Sequence, residues 1–172
     1  MSGKEILAYM DVPRLSNVAF ETAQDIARVA RETGITVATA ESLTSGQIAC
    51  HLGAASGSSQ WFKGSVVAYD NDVKFKVLGV PTGPVVTAEC AQAMARGCRD
   101  LLDADIAVAV TGVGGPTEEE GRPPGCVYVA LVSSESEKVE HHQFDGDPLE
   151  VLVATTQCAL SMLHECVTAA TQ

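Results

Sequence analysis

The feature that most constrains the fold is the segment Thr36 to Gly46, in which an apolar β-type run ends in a small, polar turn. Ser42 lies at the junction, after a predicted strand over Thr36 to Ala40 and before a predicted helix over Thr44 to Leu52. A serine at such a turn can be presented at the open end of a sheet, where the first amides of the helix have no internal partners. The segment therefore predicts a nucleophile beside an oxyanion or phosphate site, or else a serine or threonine that only caps the helix.

Helical and extended patterns alternate along the rest of the chain. Helical periodicity runs over Ser16 to Thr33 and Thr87 to Leu102, and Asp147 to Glu150 opens a last helix with a capping box. Further strands are predicted at Ser65 to Tyr69, Asp105 to Val110, Cys126 to Val132 and Lys138 to Phe144. This interleaving favours an α/β fold, specifically a three-layer α/β/α sandwich. The last two strands can form a hairpin, so the sheet is predicted to be mixed and mostly parallel.

Composition limits the classes of partner. The 172 residues suit one domain, with residues 1–15 as an N-terminal extension, and 46% hydrophobic content is enough for a full core. A net charge of -11 argues against nucleic acid and acidic membranes as partners. No apolar run approaches the roughly 20 residues that span a bilayer, and the N-terminus does not resemble a signal peptide. We therefore expect a cytoplasmic protein, and one small anionic ligand is still compatible with the charge.

The cysteines and histidines indicate a reduced protein without a metal. The six cysteines are scattered, at Cys50, Cys90, Cys98, Cys126, Cys158 and Cys166. None forms a C-x-x-C pair, which makes zinc a poor alternative to buried thiols. His141 and His142 are neighbours on a predicted strand and so point to opposite faces. We expect no metal and no cofactor.

Three loops follow predicted strands and are expected to meet at one edge of the sheet. They are Glu41 to Gly46, Tyr69 to Lys74 and Thr111 to Gly125. The third is longer than a connection needs to be, so it is either a ligand loop whose glycines bring amides to a ligand or a mobile surface loop with a solvated acidic run. In the second, Lys74 can serve as a general base if burial or a nearby cation lowers its pKa. Lys63 and Lys76 are its rivals for that role.

The ordered motifs resemble those of a known family. They are AES-x-T-x-G, YxNxxK, TGxxGP, a Pro-Gly pair before a strand, and FxGD before the final helix. In this order, over roughly Ala23 to Val167, the chain resembles the carboxy-terminal domain of the competence/damage-inducible CinA family, whose members include nicotinamide mononucleotide amidohydrolases. The sequence is too short for the additional amino-terminal domain of full-length members, so a stand-alone form is expected.

The resemblance implies an α/β/α fold and a function in pyridine nucleotide salvage and NAD metabolism. The implied reaction is hydrolysis of the carboxamide of nicotinamide mononucleotide, a small-molecule nucleotide, to nicotinic acid mononucleotide and ammonia without a metal. Ser42 would be the nucleophile, with Tyr69 and Lys74 handling protons. The candidate substrate and phosphate contacts are Thr44, Ser45, Gly46, Asn71, Thr111, Gly112, Gly114, Gly115 and Arg122. Because small alanine-rich α/β domains often associate, a homo-oligomer is expected.

The chain also departs from the family pattern. Leu43 and Ser45 stand where the family usually has cysteine and glycine, whereas Arg122 keeps the charge of a usual lysine. The largest difference follows FxGD, where the family commonly has an arginine and another a few residues later, because the final helix here contains none. Two alternatives therefore stay open. One is an amidase of the same fold acting on another small carboxamide, and the other is a non-catalytic protein that binds a nucleotide or a partner.

Overall fold

A computed structural model describes residues 17–170. The helices are α1 (Asn17–Thr33), α2 (Gln47–Ala54), α3 (Asn71–Val77), α4 (Ala88–Leu102) and α5 (Pro148–Ala169). The strands are β1 (Val37–Glu41), β2 (Phe62–Val67), β3 (Ile106–Gly112), β4 (Cys126–Val132) and β5 (Glu137–Gln143). The predicted extension over residues 1–15, and Ser16 at the predicted start of the first helix, lie outside the described residues.

The five strands form one mixed sheet in the order β2-β1-β3-β4-β5. β1 pairs in parallel with both β2 and β3, whereas β4 pairs antiparallel with β3 and β5. Four strands therefore share one direction and β4 opposes them, which confirms the mixed, mostly parallel sheet. Because β1, β2 and β3 are parallel neighbours, the segments that follow them emerge at the same edge of the sheet.

Alternation along β3 shows how the sheet separates two layers of helices. Ile106, Val108 and Val110 face the core shared with α1, α2 and α5, whereas Ala107 and Ala109 face the core shared with α4. Successive side chains of a strand point to opposite faces, so a strand of alternating large and small residues is buried on both sides. The three-layer α/β/α sandwich is confirmed.

Two helix starts behave as their sequences predict. The side chain of Thr87 accepts a hydrogen bond from the Cys90 amide, so it caps α4. At the start of α5, Asp147 and Glu150 form the predicted capping box around Pro148 at the first helical position. No helix among residues 17–170 is long and apolar enough to cross a membrane.

The end of β2 and the segment that follows it differ from the prediction. Strand β2 ends at Val67 rather than at Tyr69, and the segment predicted as a polar turn is the start of α3. Asp70 caps this helix by accepting a hydrogen bond of 2.8 Å from the Asp72 amide. Lys74 therefore lies on a helix and not on a loop. With 7 residues, α3 is shorter than two turns, too short for a helical period to show in the sequence.

Candidate active site

The turn after β1 is organised by the buried carboxylate of Glu41, which has no exposed surface. It accepts hydrogen bonds from the Thr44 hydroxyl at 2.7 Å and from the amides of Gly46 at 2.9 Å, Ile48 at 3.1 Å and Ala49 at 2.8 Å. A buried carboxylate needs several such charge-assisted donors to offset its lost hydration. The first amides of α2 therefore point at Glu41, and the expectation that they face a ligand is wrong.

Ser42 lies at the carboxyl end of β1 and opens into a cavity, with 8% of its surface exposed. It does not cap α2, because that helix begins at Gln47 and its cap position is Gly46, which makes no side-chain capping bond. The chain reverses through the left-handed residues Ser45, with φ 52°, and Gly46, with φ 97°. A non-glycine residue in this region costs about 1 kcal/mol or more, so the hydrogen bonds to Glu41 must hold the turn. The capping interpretation of Ser42 and Thr44 is therefore not observed.

The cavity beside Ser42 has a volume of about 500 Å³ and lies at the carboxyl edge of the parallel strands. It brings together most of the candidate residues: Ser42, Ser45, Tyr69, Asn71, Lys74, Thr111, Gly112, Gly114 and Gly115. The three loops singled out from the sequence thus contribute to one concave site. The roles assigned to these residues stay predictions.

Three candidate contacts do not line the cavity. Thr44 is fully buried with its hydroxyl on Glu41, and the Gly46 amide donates to the same carboxylate. Arg122 is exposed and pairs through its backbone with Glu119 in the long loop. Thr44 and Gly46 therefore support the turn from inside, and the expectation that Arg122 contacts a substrate is corrected.

Lys74 is the buried cation of the site, with 1% of its surface exposed. Its Nζ donates to the Tyr69 carbonyl oxygen at 3.2 Å and to Asn71 Oδ1 at 3.1 Å, so none of its hydrogen bonds to described residues reaches Ser42. Burial lowers the pKa of Lys74, and nearby acidic groups, first Cys90 and then Glu119, oppose this shift. Of the two causes expected from the sequence, burial lowers this pKa and no nearby cation among the described residues contributes to the lowering. Lys74 and Ser42 nevertheless line the same cavity.

Tyr69 contributes at the cavity rim. Its side chain is among the most exposed large residues, with 69% of its surface accessible, and its hydroxyl bonds to no residue that the structure describes. Its backbone carbonyl instead holds the ammonium of Lys74. Tyr69 therefore contacts Lys74 through its main chain. Proton transfer by its phenol stays a prediction.

The long loop from Thr111 to Gly125 is anchored by one member of its acidic run. Glu120 accepts hydrogen bonds from the amides of Val85 at 2.8 Å and Val86 at 2.9 Å, and the Thr111 hydroxyl donates to the Val85 carbonyl at 2.8 Å. Glu118 and Glu119 line the cavity. The side chains of Glu118, Glu119 and Glu120 are all exposed, so the acidic run is solvated, and Glu120 in addition ties the loop to the segment before α4. Nothing in the local sequence distinguishes Glu120 from its neighbours, because its partners lie more than thirty residues away.

The structure also brings together a group that the sequence spacing does not reveal. Ligand atoms of Glu140, His142 and Cys158 all lie within 4.8 Å of one another, the one such group among residues 17–170. The His142 Nε2 atom is 3.0 Å from Glu140 Oε2 and 3.2 Å from Cys158 Sγ, and Lys138 pairs with Glu140 at 2.7 Å. These contacts satisfy the group internally, and it lies on β5 and α5 outside the Ser42 cavity.

The cysteines are all free thiols, as a reduced protein predicts. Cys90, Cys98 and Cys126 are buried, whereas Cys158 and Cys166 are half-buried. Burial raises the pKa of the Cys98 thiol to about 12, so it stays protonated. Cys50 is exposed, which corrects the expectation of buried thiols at that position.

Comparison with known sequences identifies similar domains. Residues 19–167 match the CinA C-terminal domain. The chain is 42% identical over 145 residues to a CinA-like protein of Geobacter metallireducens, covering 81% of the chain and 35% of that protein. It is 38% identical over 128 residues to a putative competence-damage inducible protein of Bacillus subtilis, covering 72% of the chain and 31% of that protein. The chain thus spans about a third of the length of these relatives.

Solved structures share the fold. A CinA superfamily protein from Klebsiella pneumoniae 700603 superposes with a TM-score of 0.83 at 29% identity, covering 88% of the chain and 98% of that structure. A competence/damage inducible protein from Agrobacterium tumefaciens has a TM-score of 0.83 at 32% identity, with coverages of 88% and 96%. The domain described here is therefore nearly the whole of each solved structure.

Proposed function

The chain belongs to the CinA C-terminal domain family, and on that premise we propose that it is a metal-independent serine amidohydrolase acting on the carboxamide of a pyridine nucleotide such as nicotinamide mononucleotide. The observation that carries the proposal is that Ser42 and the buried Lys74 line the same cavity at the carboxyl edge of the sheet. A serine nucleophile needs a nearby base, and a lysine can be one only when its pKa is lowered. Burial supplies that lowering for Lys74.

The reaction proceeds in two halves. Ser42 Oγ attacks the carboxamide carbon while its proton passes to neutral Lys74, directly or through a water. The tetrahedral intermediate then breaks its carbon–nitrogen bond, and the proton returns from Lys74 to the nitrogen, which leaves as ammonia. A water attacks the resulting ester, the bond to Oγ breaks, and Ser42 regains its proton. The products are one carboxylic acid and one ammonia for each carboxamide and water consumed.

The oxyanion of this intermediate requires donors beside Ser42. Among the described residues that line the cavity, the amides of Leu43, Gly114 and Gly115 donate to no other part of the chain. Gly114 also packs against Leu43, since a Cβ atom built on Gly114 would lie 3.8 Å from the Leu43 Cβ. We assign the oxyanion to this group of amides rather than to the first amides of α2, which Glu41 already occupies.

Product stoichiometry tests the proposal. Purified protein is incubated with nicotinamide mononucleotide and with its dephosphorylated nucleoside, and ammonia and the carboxylic acid are measured in parallel. Equimolar release of both products from either compound is expected. A protein that binds these compounds in equilibrium dialysis but releases no ammonia would contradict the proposal.

A non-catalytic binding protein is the second candidate. It is favoured by one observation, namely that Lys74 makes its hydrogen bonds to Tyr69 and Asn71 and none to Ser42. In that case the lysine would be a structural cation and the serine a solvated lining residue. Binding without turnover in the same experiment is the outcome that this candidate predicts.

A further inference from the structure

We propose that Glu140, His142 and Cys158 bind one divalent transition-metal cation such as zinc, between the edge strand β5 and the helix α5. The inference goes beyond the proposed function, because these residues lie outside the Ser42 cavity. It departs from the sequence-based expectation of no metal. The role of the cation is structural, since it joins a strand at the edge of the sheet to the helix that packs on it.

The three side chains offer donor atoms that zinc prefers, namely a carboxylate oxygen, an imidazole nitrogen and a thiol sulfur. These atoms all lie within 4.8 Å of one another, and no other such group occurs among residues 17–170. Mg²⁺ and Ca²⁺ select oxygen ligands, so a nitrogen and a sulfur in one site disfavour them. The donor set therefore indicates zinc or a similar transition metal.

The distances between the donor atoms suit a tetrahedral ion. In such a site, bonds of about 2.0–2.3 Å to the metal hold neighbouring donor atoms roughly 3.3–3.8 Å apart. His142 Nε2 is 3.0 Å from Glu140 Oε2 and 3.2 Å from Cys158 Sγ. A widening of roughly 0.5 Å is therefore enough to admit the ion. The fourth position of the tetrahedron is left for a water.

The strand and two neighbouring side chains orient the ligands. Glu140 and His142 are two residues apart on β5, so their side chains project from the same face of the strand. The His142 ring stacks on Phe144, with 5.3 Å between the ring centroids and 2° between the planes. Lys138 pairs with Oε1 of Glu140 at 2.7 Å, while Oε2 is the oxygen that faces His142. Such outer contacts fix the orientation of metal ligands and strengthen binding.

Exposure and charge are compatible with a bound cation. The side chains of His142 and Glu140 are 28% and 34% exposed, so an ion can reach them from solvent. On binding, the Cys158 thiol releases its proton to water, and the thiolate and the Glu140 carboxylate together balance the two charges of the ion. The hydrogen bonds that join the three side chains are exchanged for bonds to the metal. Lys138 also lies 3.7 Å from Glu165, which offsets the ammonium charge.

The opposite face of β5 provides an internal comparison. His141 lies 3.4 Å from Cys126 and stacks on Tyr128, so it too is paired with a thiol. Among residues 17–170, no third ligand group completes that pair. His141 and His142 thus share a thiol neighbour and differ in the carboxylate, which makes His141 the matched control for the site.

Cobalt(II) is the probe for the site, because a thiolate bound to tetrahedral cobalt gives a charge-transfer absorption band that colourless zinc abolishes on displacement. The purified full chain, reduced with a phosphine, is titrated with Co²⁺ and then with Zn²⁺ at neutral pH. We expect the band to saturate at one equivalent of Co²⁺ and to disappear with one equivalent of Zn²⁺. Absence of the band at excess Co²⁺ would overturn the inference.

Cys158→Ser tests the sulfur ligand with almost no change of side-chain shape. We expect this variant to lack the band while its Tm without metal stays close to that of the wild type. Cys166→Ser is the matched control, because Cys166 is also half-buried on α5, and it should keep the band at one equivalent. A band that persists in Cys158→Ser, or that both variants lose, would assign the metal to other residues and overturn the inference.

His142→Gln tests the nitrogen ligand, with His141→Gln as its control. Zinc affinity is measured by competition with a chelating dye, and it should fall about tenfold or more in His142→Gln and stay unchanged in His141→Gln. Zinc in excess should raise the Tm of the wild type and of His141→Gln. Equal zinc affinities in the two variants would overturn the inference. If His142→Gln does not fold, the comparison of Cys158→Ser with Cys166→Ser decides.

Discussion

The carboxylate of Glu41 and the hydroxyl of Thr44 are joined by a hydrogen bond of 2.7 Å, with neither side chain exposed to solvent. The same carboxylate accepts the amides that begin α2. The two residues therefore act from beneath the turn and fix the path of the chain through Ser42. They are positioning residues, because neither lines the cavity.

Glu41→Gln is expected to destabilise the fold by roughly 2–4 kcal/mol, since a neutral amide replaces one acceptor oxygen with a donor facing buried amides. Urea unfolding followed by circular dichroism measures this difference. Glu89→Gln, on the exposed first turn of α4, is the matched control and should change stability by less than about 0.5 kcal/mol. Equal stabilities of the two variants would mean that Glu41 does not hold the turn.

The pH dependence of turnover should reflect the protonation state of the Lys74 amine. Its pKa is lowered from 10.5 by burial, so the neutral amine needed for proton transfer becomes available as pH rises through a value below 10.5. We expect kcat/KM to increase with pH along this limb. Lys74→Arg should be inactive at every pH because a guanidinium stays charged. Lys76→Arg, on the exposed side of the same helix, should keep the wild-type profile.

Stability has a matching pH dependence. Because the folded-state pKa of Lys74 lies below the unfolded value, the unfolded chain binds more protons between the two, and this residue's contribution to stability rises with pH in that window. At pH values below the folded-state pKa, Lys74 is charged in the folded protein, and the burial of this charge lowers stability by its full amount. Replacement by Met should therefore flatten the rise in Tm toward pH 10. A slope unchanged in Lys74→Met would show that other groups cause it.

Chelators should leave turnover unchanged. Among residues 17–170, the one cluster of three close His, Cys, Asp or Glu ligand atoms is Glu140, His142 and Cys158, which lies outside the Ser42 cavity and is bonded internally. Activity is measured after dialysis against EDTA, with elemental analysis of the same sample. Stoichiometric zinc that leaves together with activity, and restores it on return, would contradict a metal-independent reaction.

Close packing of α4 gives a prediction about stability. A Cβ atom at Gly97 would lie 1.9 Å from the backbone carbonyl oxygen of Leu78, so Gly97→Ala must displace main chain. We expect a loss of about 3 kcal/mol in the free energy of unfolding. At Gly53 in α2 an added Cβ meets nothing within 4 Å, so Gly53→Ala is expected to stabilise by about 0.5–1 kcal/mol. Similar effects at the two sites would contradict the packing described for α4.

Features that depend on local patterns could be predicted from the sequence. The strand before Ser42, the Thr87 cap and the capping box at Asp147 follow from neighbouring residues, and all three occur in the structure. The alternation of helices and strands along the sequence was enough to predict the three-layer fold. The end of β2 and the short helix α3 were predicted wrongly. Seven residues are too few to establish a helical period in the sequence.

Long-range contacts could not be read from local sequence. Glu120 is anchored by amides 34 and 35 residues away, and it sits within an acidic run that looks solvated. The burial of Lys74 depends likewise on how α3 packs below the cavity, which no residue near it specifies. Arg122 was assigned to the site by the family resemblance, because it keeps the charge of a usual lysine, yet its side chain is exposed and does not line the cavity. Site residues with local signatures were thus easier to find than those placed by tertiary packing.

The most direct test of the central claim is ammonia release by wild-type protein and by Ser42→Ala in one assay. Removal of a serine nucleophile typically costs about 10³-fold or more in turnover, and Ser42 makes no capping bond whose loss would unfold the chain. Ser134→Ala, in the exposed turn between β4 and β5, is the control and should match the wild type. The account predicts at least a thousandfold loss in Ser42→Ala at unchanged Tm. Turnover near the wild-type rate in a folded Ser42→Ala protein would contradict it.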